Sequence, residues 1–310
     1  MIKNKINKII VIIGATGNGK TKLAVSLARK FNGEIVSADS RQVYRGMDVG
    51  TGKDLKEYLI DKKKIPHHLI DVVNPNTEFN LAKYYKKATV AIKDIVLKNK
   101  LPIIAGGTGL YAQAIVDGYD LSSVKPDKKL RESLEKLNRD ELFDRLKEIN
   151  LKFANKLNES DRMNKRRLIR YIEVSNKEEI KYEKIKTENN YEFLIIGLSC
   201  SIEELRKRIY KRLVYRLEKE DMIVEVSRLH DEDDLSWEKL ESFGLEYKFI
   251  SYYLQEKMEY DEMVEKLNVS IGQFAKRQMS WYRRWEKQGA KIFWVNDKEE
   301  AERLVREFLF

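Results

Sequence analysis

Gly14-Ala15-Thr16-Gly17-Asn18-Gly19-Lys20-Thr21 fits the pattern G-x-x-x-x-G-K-[ST] and stands between a short apolar run and a helical pattern. Each position has a job in that setting. The glycines let the backbone wrap around a phosphate, so that its N–H groups and the following helix N-terminus point at the anion. Lys20 adds a point charge on the outer phosphate, and the Thr21 hydroxyl is placed to ligate Mg²⁺. The competing reading is a glycine-rich turn with no ligand. The strand–loop–helix context favours a diphosphate, without saying which molecule carries it.

Two further loops follow apolar runs. Glu34-Ile35-Val36-Ser37 leads into Ala38-Asp39-Ser40-Arg41-Gln42-Val43-Tyr44. In a parallel sheet the C-terminal ends of neighbouring strands face the same ligand, so Asp39 stands within reach of the reacting centre and can take a proton from a nucleophile. It can equally serve as a helix N-cap. Leu101-Pro102-Ile103-Ile104-Ala105 leads into Gly106-Gly107-Thr108-Gly109. The Thr108 hydroxyl can donate to a phosphate oxygen or cap the helix that follows.

The elements that must carry these loops are legible in the hydrophobic pattern. Ile9-Ile10-Val11-Ile12-Ile13 reads as a buried parallel strand, and Leu23, Leu27 and Phe31 mark one face of a helix from Lys20 to Phe31. His68-Leu69-Ile70-Asp71-Val72 reads as a third strand, and Ala82 to Lys98 as an amphipathic helix. From Ser122 to Asn190 only helical periodicity appears, with many charges. Sheet signals resume at Phe193-Leu194-Ile195-Ile196-Gly197-Leu198, before a basic helix from Ile202 to about Leu217 and a helical stretch over 221–284. Strand Lys291–Val295 and helix Lys298–Phe308 follow. The expected fold class is α/β: a P-loop NTPase-like parallel sheet flanked by helices, with a mainly helical insertion domain. Residues 1–121 and 191–310 form the expected core, and 122–190 the insertion.

Among 310 residues, 60 are Lys or Arg and 50 are Asp or Glu, a formal charge of +10. That excess suits a polyanionic partner, though lysine enrichment through biased base composition produces it too. Cys200 is the only cysteine, which excludes disulfides within the chain and cysteine-rich zinc sites. No apolar run is long enough for a membrane span, and Met1-Ile2-Lys3-Asn4-Lys5 shows no secretory pattern. The expectation is a cytoplasmic protein with no membrane partner, and a monomer.

The motifs Gly14 to Thr21, Ser37 to Tyr44, Pro66-His67-His68-Leu69-Ile70-Asp71, Gly106 to Tyr111 and Gln273-Phe274-Ala275-Lys276-Arg277-Gln278 occur together in one order. That order, spanning Ile9 to Trp294, resembles the tRNA dimethylallyltransferase family. The resemblance implies transfer of a dimethylallyl group from dimethylallyl diphosphate to N6 of an adenine next to the anticodon, with release of diphosphate. It implies Mg²⁺ as cofactor, and the tRNA anticodon loop and dimethylallyl diphosphate as partners. Asp39 would then accept the proton, and Lys20, Thr108 and Arg212 would be the other catalytic residues. Arg206, Arg208 and Arg216 share the helix of Arg212, and an extra residue near Glu220-Asp221 shifts the local spacing.

For tRNA, the resemblance implies contacts from Asp39, Ser40, Arg41, Gln42 and Thr108, with Gln42 hydrogen-bonding an adenine edge. It extends them to Arg131 and to the run Arg166-Arg167-Leu168-Ile169-Arg170 in the insertion. Lys276 to Trp285 interleaves arginines with aromatics, which suits unpaired bases; Trp281 and Trp285 read better as core. Two segments depart from the family pattern: Gly244-Leu245-Glu246-Tyr247-Lys248, which usually reads Gly-Tyr-Lys or Gly-Tyr-Arg, and Ile271-Gly272, where an arginine usually stands two residues before Gln273. His67 and His68 read as strand and packing residues. The rival functions are an adenylate isopentenyltransferase, a P-loop small-molecule kinase, and an RNA-binding module without catalysis.

Overall fold

The structure is a computed structural model that describes residues 7–60, 62–119, 127–176 and 191–310. Strand β1 (Asn7–Gly14) runs into α1 (Lys20–Lys30), and β2 (Gly33–Ser37) follows. A single helical turn, Leu55–Tyr58, precedes the antiparallel pair β3 (Leu59–Ile60) and β4 (Lys63–Lys64), then β5 (His67–His68). Helix α2 (Leu81–Leu97), β6 (Leu101–Ala105) and α3 (Gly109–Asp117) complete the first part. Next come α4 (Lys128–Leu134), α5 (Arg139–Ala154), α6 (Glu159–Arg162) and α7 (Lys165–Ser175). The chain returns through β7 (Tyr191–Leu198), α8 (Ile202–Lys219), α9 (Met222–Asp231), α10 (Trp237–Phe243), α11 (Leu245–Leu254) and α12 (Tyr260–Lys287). It ends in β8 (Ile292–Val295) and α13 (Lys298–Leu309).

Six strands form one parallel sheet in the order β5-β2-β6-β1-β7-β8. Strand β1 is central, and its unbroken run of Ile and Val follows from burial on both faces. Ile9, Val11 and Ile13 pack with Tyr84, Ala88 and Ile92 of α2 and with Tyr282 and Trp285 of α12. Ile10 and Ile12 pack with Leu23 and Leu27 of α1 and Val305 of α13. Each buried Ile, Val and Leu among them contributes roughly 1.5–3 kcal/mol over exposure. Trp285 and Tyr282 are core, while Trp281 is half-buried under the Arg284 guanidinium.

The chain divides into two compact units, Met1–Asp117 with Thr187–Phe310, and Gly118–Lys186. The second is helical over its described residues, with Leu142, Leu146, Leu168, Ile169 and Ile172 as its core. The ends of the expected insertion, 122–126 and 177–190, lie outside the described residues. Among the described residues no helix is long and apolar enough to cross a membrane.

The third strand is shorter than its apolar pattern suggests. Only His67 and His68 pair with β2, because Leu69 and Asp71 adopt left-handed backbone (φ 65° and 57°). The turn brings the Asp71 carboxylate onto the buried Lys53 ammonium, which also donates to Asp48 (2.6 Å) and the Tyr44 carbonyl (2.7 Å). Val72 and Val73 then bond to the Val43 carbonyl instead of extending the sheet.

Glu34 on β2 is buried at the opposite end of its strand from Asp39. Burial alone would raise its carboxyl, but hydrogen bonds from Lys100 (2.7 Å) and His68 (2.8 Å), with the charges of Lys100 and Lys98, bring it down to about 2. A carboxyl depressed on folding stabilises the native state above its unfolded value near 4.5, and that contribution is lost as pH falls toward 2. Glu34→Gln should therefore lower the melting temperature at neutral pH, and the gap to wild type should close on acidification. A gap that did not change with pH would show that the Glu34 charge adds nothing to stability.

Candidate active site

The C-terminal ends of β1, β2 and β6 open onto one cavity of about 630 Å³, which α8, the α10–α11 corner and α12 also line. On the β1 side the loop from Gly14 to Gly19 has left-handed Gly17 and Gly19 (φ 80° and 81°), a conformation that resists any side chain. Asn18 ties this loop to β7 by donating to the Leu198 carbonyl (2.7 Å). Lys20, the first residue of α1, donates to the Ala15 carbonyl (2.9 Å). Its ammonium is enclosed, and burial, then the nearby Arg212 charge, brings its pKa down to about 8 against the opposing pull of Asp39.

Helix α8 settles which arginine meets the loop. Arg212 donates to the Thr16 hydroxyl (2.7 Å), and burial, then Arg216, lowers its pKa to about 10. Arg208 lines the cavity and pairs with Glu204 (2.8 Å) on the exposed side. Arg216 is buried and bonded to Asp54 (2.9 Å), and Arg206 is exposed and away from the lining.

No helix follows Asp39, so the N-cap reading does not hold. Its Oδ1 accepts from the Arg41 N–H (2.9 Å), a turn that fixes the carboxylate at the cavity edge. The Thr108 hydroxyl neither caps α3 nor points away: it accepts from the Ser40 N–H (2.9 Å) and donates to the Ser40 hydroxyl (3.2 Å). The loops after β2 and β6 are thus locked together. Arg41 lies over the Phe243 ring. Gln42 lines the cavity and is anchored at both polar ends: Oε1 accepts from the Ser37 hydroxyl (2.9 Å) and Nε2 donates to the Gly52 carbonyl (3.0 Å), leaving one lone pair and one N–H of the amide for a base.

No motif in the sequence contains Glu225, which shapes another part of the cavity wall. The Glu225 carboxylate, on the apolar face of α9 beside Met222, Val226 and Leu229, accepts from the N–H groups of Asp48 (2.7 Å), Val49 (2.7 Å) and Gly50 (3.0 Å) and from the Tyr247 hydroxyl (2.7 Å). That fixes the segment whose Gly50, Thr51, Gly52 and Asp54 line the cavity. Glu246 also faces in; burial raises its carboxyl despite the opposing charges of Arg216 and Arg212. Gln278, in the apolar stripe Ile271, Ala275, Tyr282 and Trp285 of α12, reaches the cavity too. The signal that can find Glu225 and Gln278 is a polar residue within an apolar helix face, which demands a partner.

Among the residues implied for tRNA in the second unit, the exposed ones divide from the core. Leu168 and Ile169 are buried in its hydrophobic centre, so their side chains cannot contact RNA. Arg131 is bidentate to the buried Glu173 (2.7 and 2.9 Å), and Arg170 joins the same carboxylate (3.3 Å). The Arg131 pair ties α4 to α7, while the Arg170 pair lies within α7. Arg167 is exposed and pairs with Asp161 (2.6 Å), whereas Arg166 is exposed with no acidic partner among the described residues.

The sheet order and the loop joining β1 to α1 place the chain in the P-loop class of α/β proteins. Within that class it belongs to the IPP transferase family, whose model matches residues 42–285. It is 44% identical over 297 residues to tRNA dimethylallyltransferase 1 of Syntrophus aciditrophicus, covering 95% of this chain and 94% of that one. It is 46% identical over 291 residues to tRNA dimethylallyltransferase 2 of Treponema denticola, covering 92% and 95%. The fold is similar to the full-length tRNA isopentenylpyrophosphate transferase of Bacillus halodurans, with TM-score 0.68, 31% identity, and 98% and 96% of the chains covered. It is also similar to a eukaryotic dimethylallyltransferase acting on tRNA, with TM-score 0.79, 25% identity, and 98% and 79% covered.

Proposed function

We propose that the chain transfers a dimethylallyl group from dimethylallyl diphosphate to N6 of an adenine next to the anticodon of tRNA, releasing diphosphate. The observation that carries this reading is the convergence of Lys20, Arg212 and Asp39 on one cavity. Breaking the allylic C–O bond puts negative charge on the leaving diphosphate and positive character on the allyl carbon. The N–H groups of the Gly14–Thr21 loop, the Lys20 ammonium and the Arg212 guanidinium stabilise that leaving charge. The exocyclic amine attacks the allyl carbon and loses a proton, which Asp39 accepts. Phe243, Leu245, Ile271 and Phe274 supply an apolar lining for the prenyl chain.

Among the described residues no three His, Cys, Asp or Glu side chains converge on a metal site. The Thr21 hydroxyl, lining the cavity next to Lys20, fits the way Mg²⁺ is bound through one protein oxygen, waters and substrate phosphates. Bound there, Mg²⁺ would neutralise charge on the diphosphate oxygens.

The tRNA part of the reading is tested on α7, with Arg131 and Arg170 left to their pairing with Glu173. Replacing Arg166 and Arg167 with glutamine should flatten the salt dependence of tRNA affinity by about 0.7–0.9 in log–log slope for each arginine–phosphate interaction removed. Affinity for dimethylallyl diphosphate should not change, because every residue lining the cavity belongs to the first unit. Parallel salt plots with equal affinities would make these arginines a solvated helix face. An adenylate isopentenyltransferase or a small-molecule kinase predicts that result.

A further inference from the structure

The donor and acceptor walls of the cavity arise from different strand ends, and transfer requires a fixed distance between them. Gln278, on α12, touches both. Its Oε1 accepts from the Thr16 N–H (2.8 Å) in the diphosphate loop, and its Nε2 donates to the Gly107 carbonyl (2.8 Å) in the loop that carries Thr108. One helical turn later the Tyr282 hydroxyl meets the same Gly107 carbonyl (3.5 Å). The fit is close. A Cβ at Gly107 would stand 2.7 Å from the Gln278 Nε2 and 3.4 Å from the Asp39 Oδ2.

We propose that Gln278 is a positioning residue for the transfer step: it pins the diphosphate loop to the Gly107 loop and so sets the separation between the donor and Asp39. This rests on the transfer reading of the same cavity. Glutamine suits the task because a single planar group must accept on one side and donate on the other. A shift of about 1 Å between reacting groups costs on the order of 10²-fold in rate.

The decisive variants are Gln278→Met, which keeps length and loses both bonds, and Gln278→Glu. With saturating dimethylallyl diphosphate and bulk tRNA, Gln278→Met should lose about 10- to 100-fold in single-turnover rate, with both binding affinities retained. A protonated glutamic acid accepts and donates as glutamine does, whereas its carboxylate cannot donate to Gly107. Burial and the facing Asp39 favour the protonated form of the introduced group, while Lys20 and Arg212 oppose it. The rate of Gln278→Glu relative to wild type should therefore rise as pH falls, a profile that a merely structural side chain would not produce. Amide exchange at Thr16 should be faster in Gln278→Met, a readout independent of turnover. Wild-type protein that transfers no prenyl group while its Thr16 exchange still depends on Gln278 would count against the function and not the pin. A Gln278→Met enzyme as fast as wild type, a flat pH ratio for Gln278→Glu, or unchanged Thr16 exchange would each overturn the pin.

Discussion

Asp39→Ala should reduce turnover by roughly 10²- to 10⁴-fold, the usual worth of a positioned general base, while donor and tRNA binding stay largely intact. The carboxylate sits at the cavity edge after β2, held by the Arg41 N–H and packed beside the loop that Thr108 locks. Because Asp39 also makes a turn, alanine alone cannot separate chemistry from loop shape. Asn retains the oxygen that accepts from Arg41 but cannot accept a proton from an amine. If Asp39 is the base, Asp39→Asn should be nearly as slow as Asp39→Ala in single-turnover assays. Recovery of the wild-type rate in Asp39→Asn would reduce the residue to a spacer.

Lys20→Ala and Arg212→Ala should each slow transfer by about 10²- to 10³-fold, the scale for removing one preorganised group from a developing anion. Both should remain folded, since neither side chain belongs to a hydrophobic cluster. Lys20 adds a pH signature. In the free protein burial and Arg212 bring its pKa down to about 8, so above that pH it is largely neutral. A bound diphosphate favours the charged form, so donor binding takes up a proton and weakens as pH rises through 8. That pH dependence should be absent in Lys20→Ala. Donor titrations against pH decide it, and a slope unchanged in the variant would assign the proton elsewhere. Full activity in Arg212→Ala would move the leaving-group role to Arg208, the other cavity-lining arginine of α8 outside the buried Arg216–Asp54 pair.

The parts of this molecule visible in its sequence are those fixed by local pattern. β1 declares itself because burial on both faces demands an unbroken apolar run, and the loop that follows because few residue types tolerate its backbone. β5 stops short of its apolar pattern because Leu69 and Asp71 turn left-handed to reach Lys53, a partner 18 residues from Asp71 whose position no local window contains. The basic run in α7 mixes two helix faces. Arg166 and Arg167 point outward, while Leu168 and Ile169 one step on are core, a division that helical periodicity predicts and a linear motif hides. Arg131 is named for RNA by the resemblance alone, and its pairing with Glu173, 42 residues away, is beyond any local window. Gln278 stands out in the sequence only as the end of a motif; its partners lie 262 and 171 residues away, and only the fold brings them together.

Nucleoside analysis of a transfer reaction tests the central claim most directly. The protein is incubated with bulk tRNA, Mg²⁺ and dimethylallyl diphosphate labelled in the prenyl carbons, and the tRNA is digested to nucleosides. Label should appear in a single N6-substituted adenosine, with one diphosphate released per group transferred and no transfer to free adenine nucleotides. Label on free adenine nucleotides but not on tRNA, or tRNA left unlabelled while ATP donates phosphate to a small acceptor, would contradict the account.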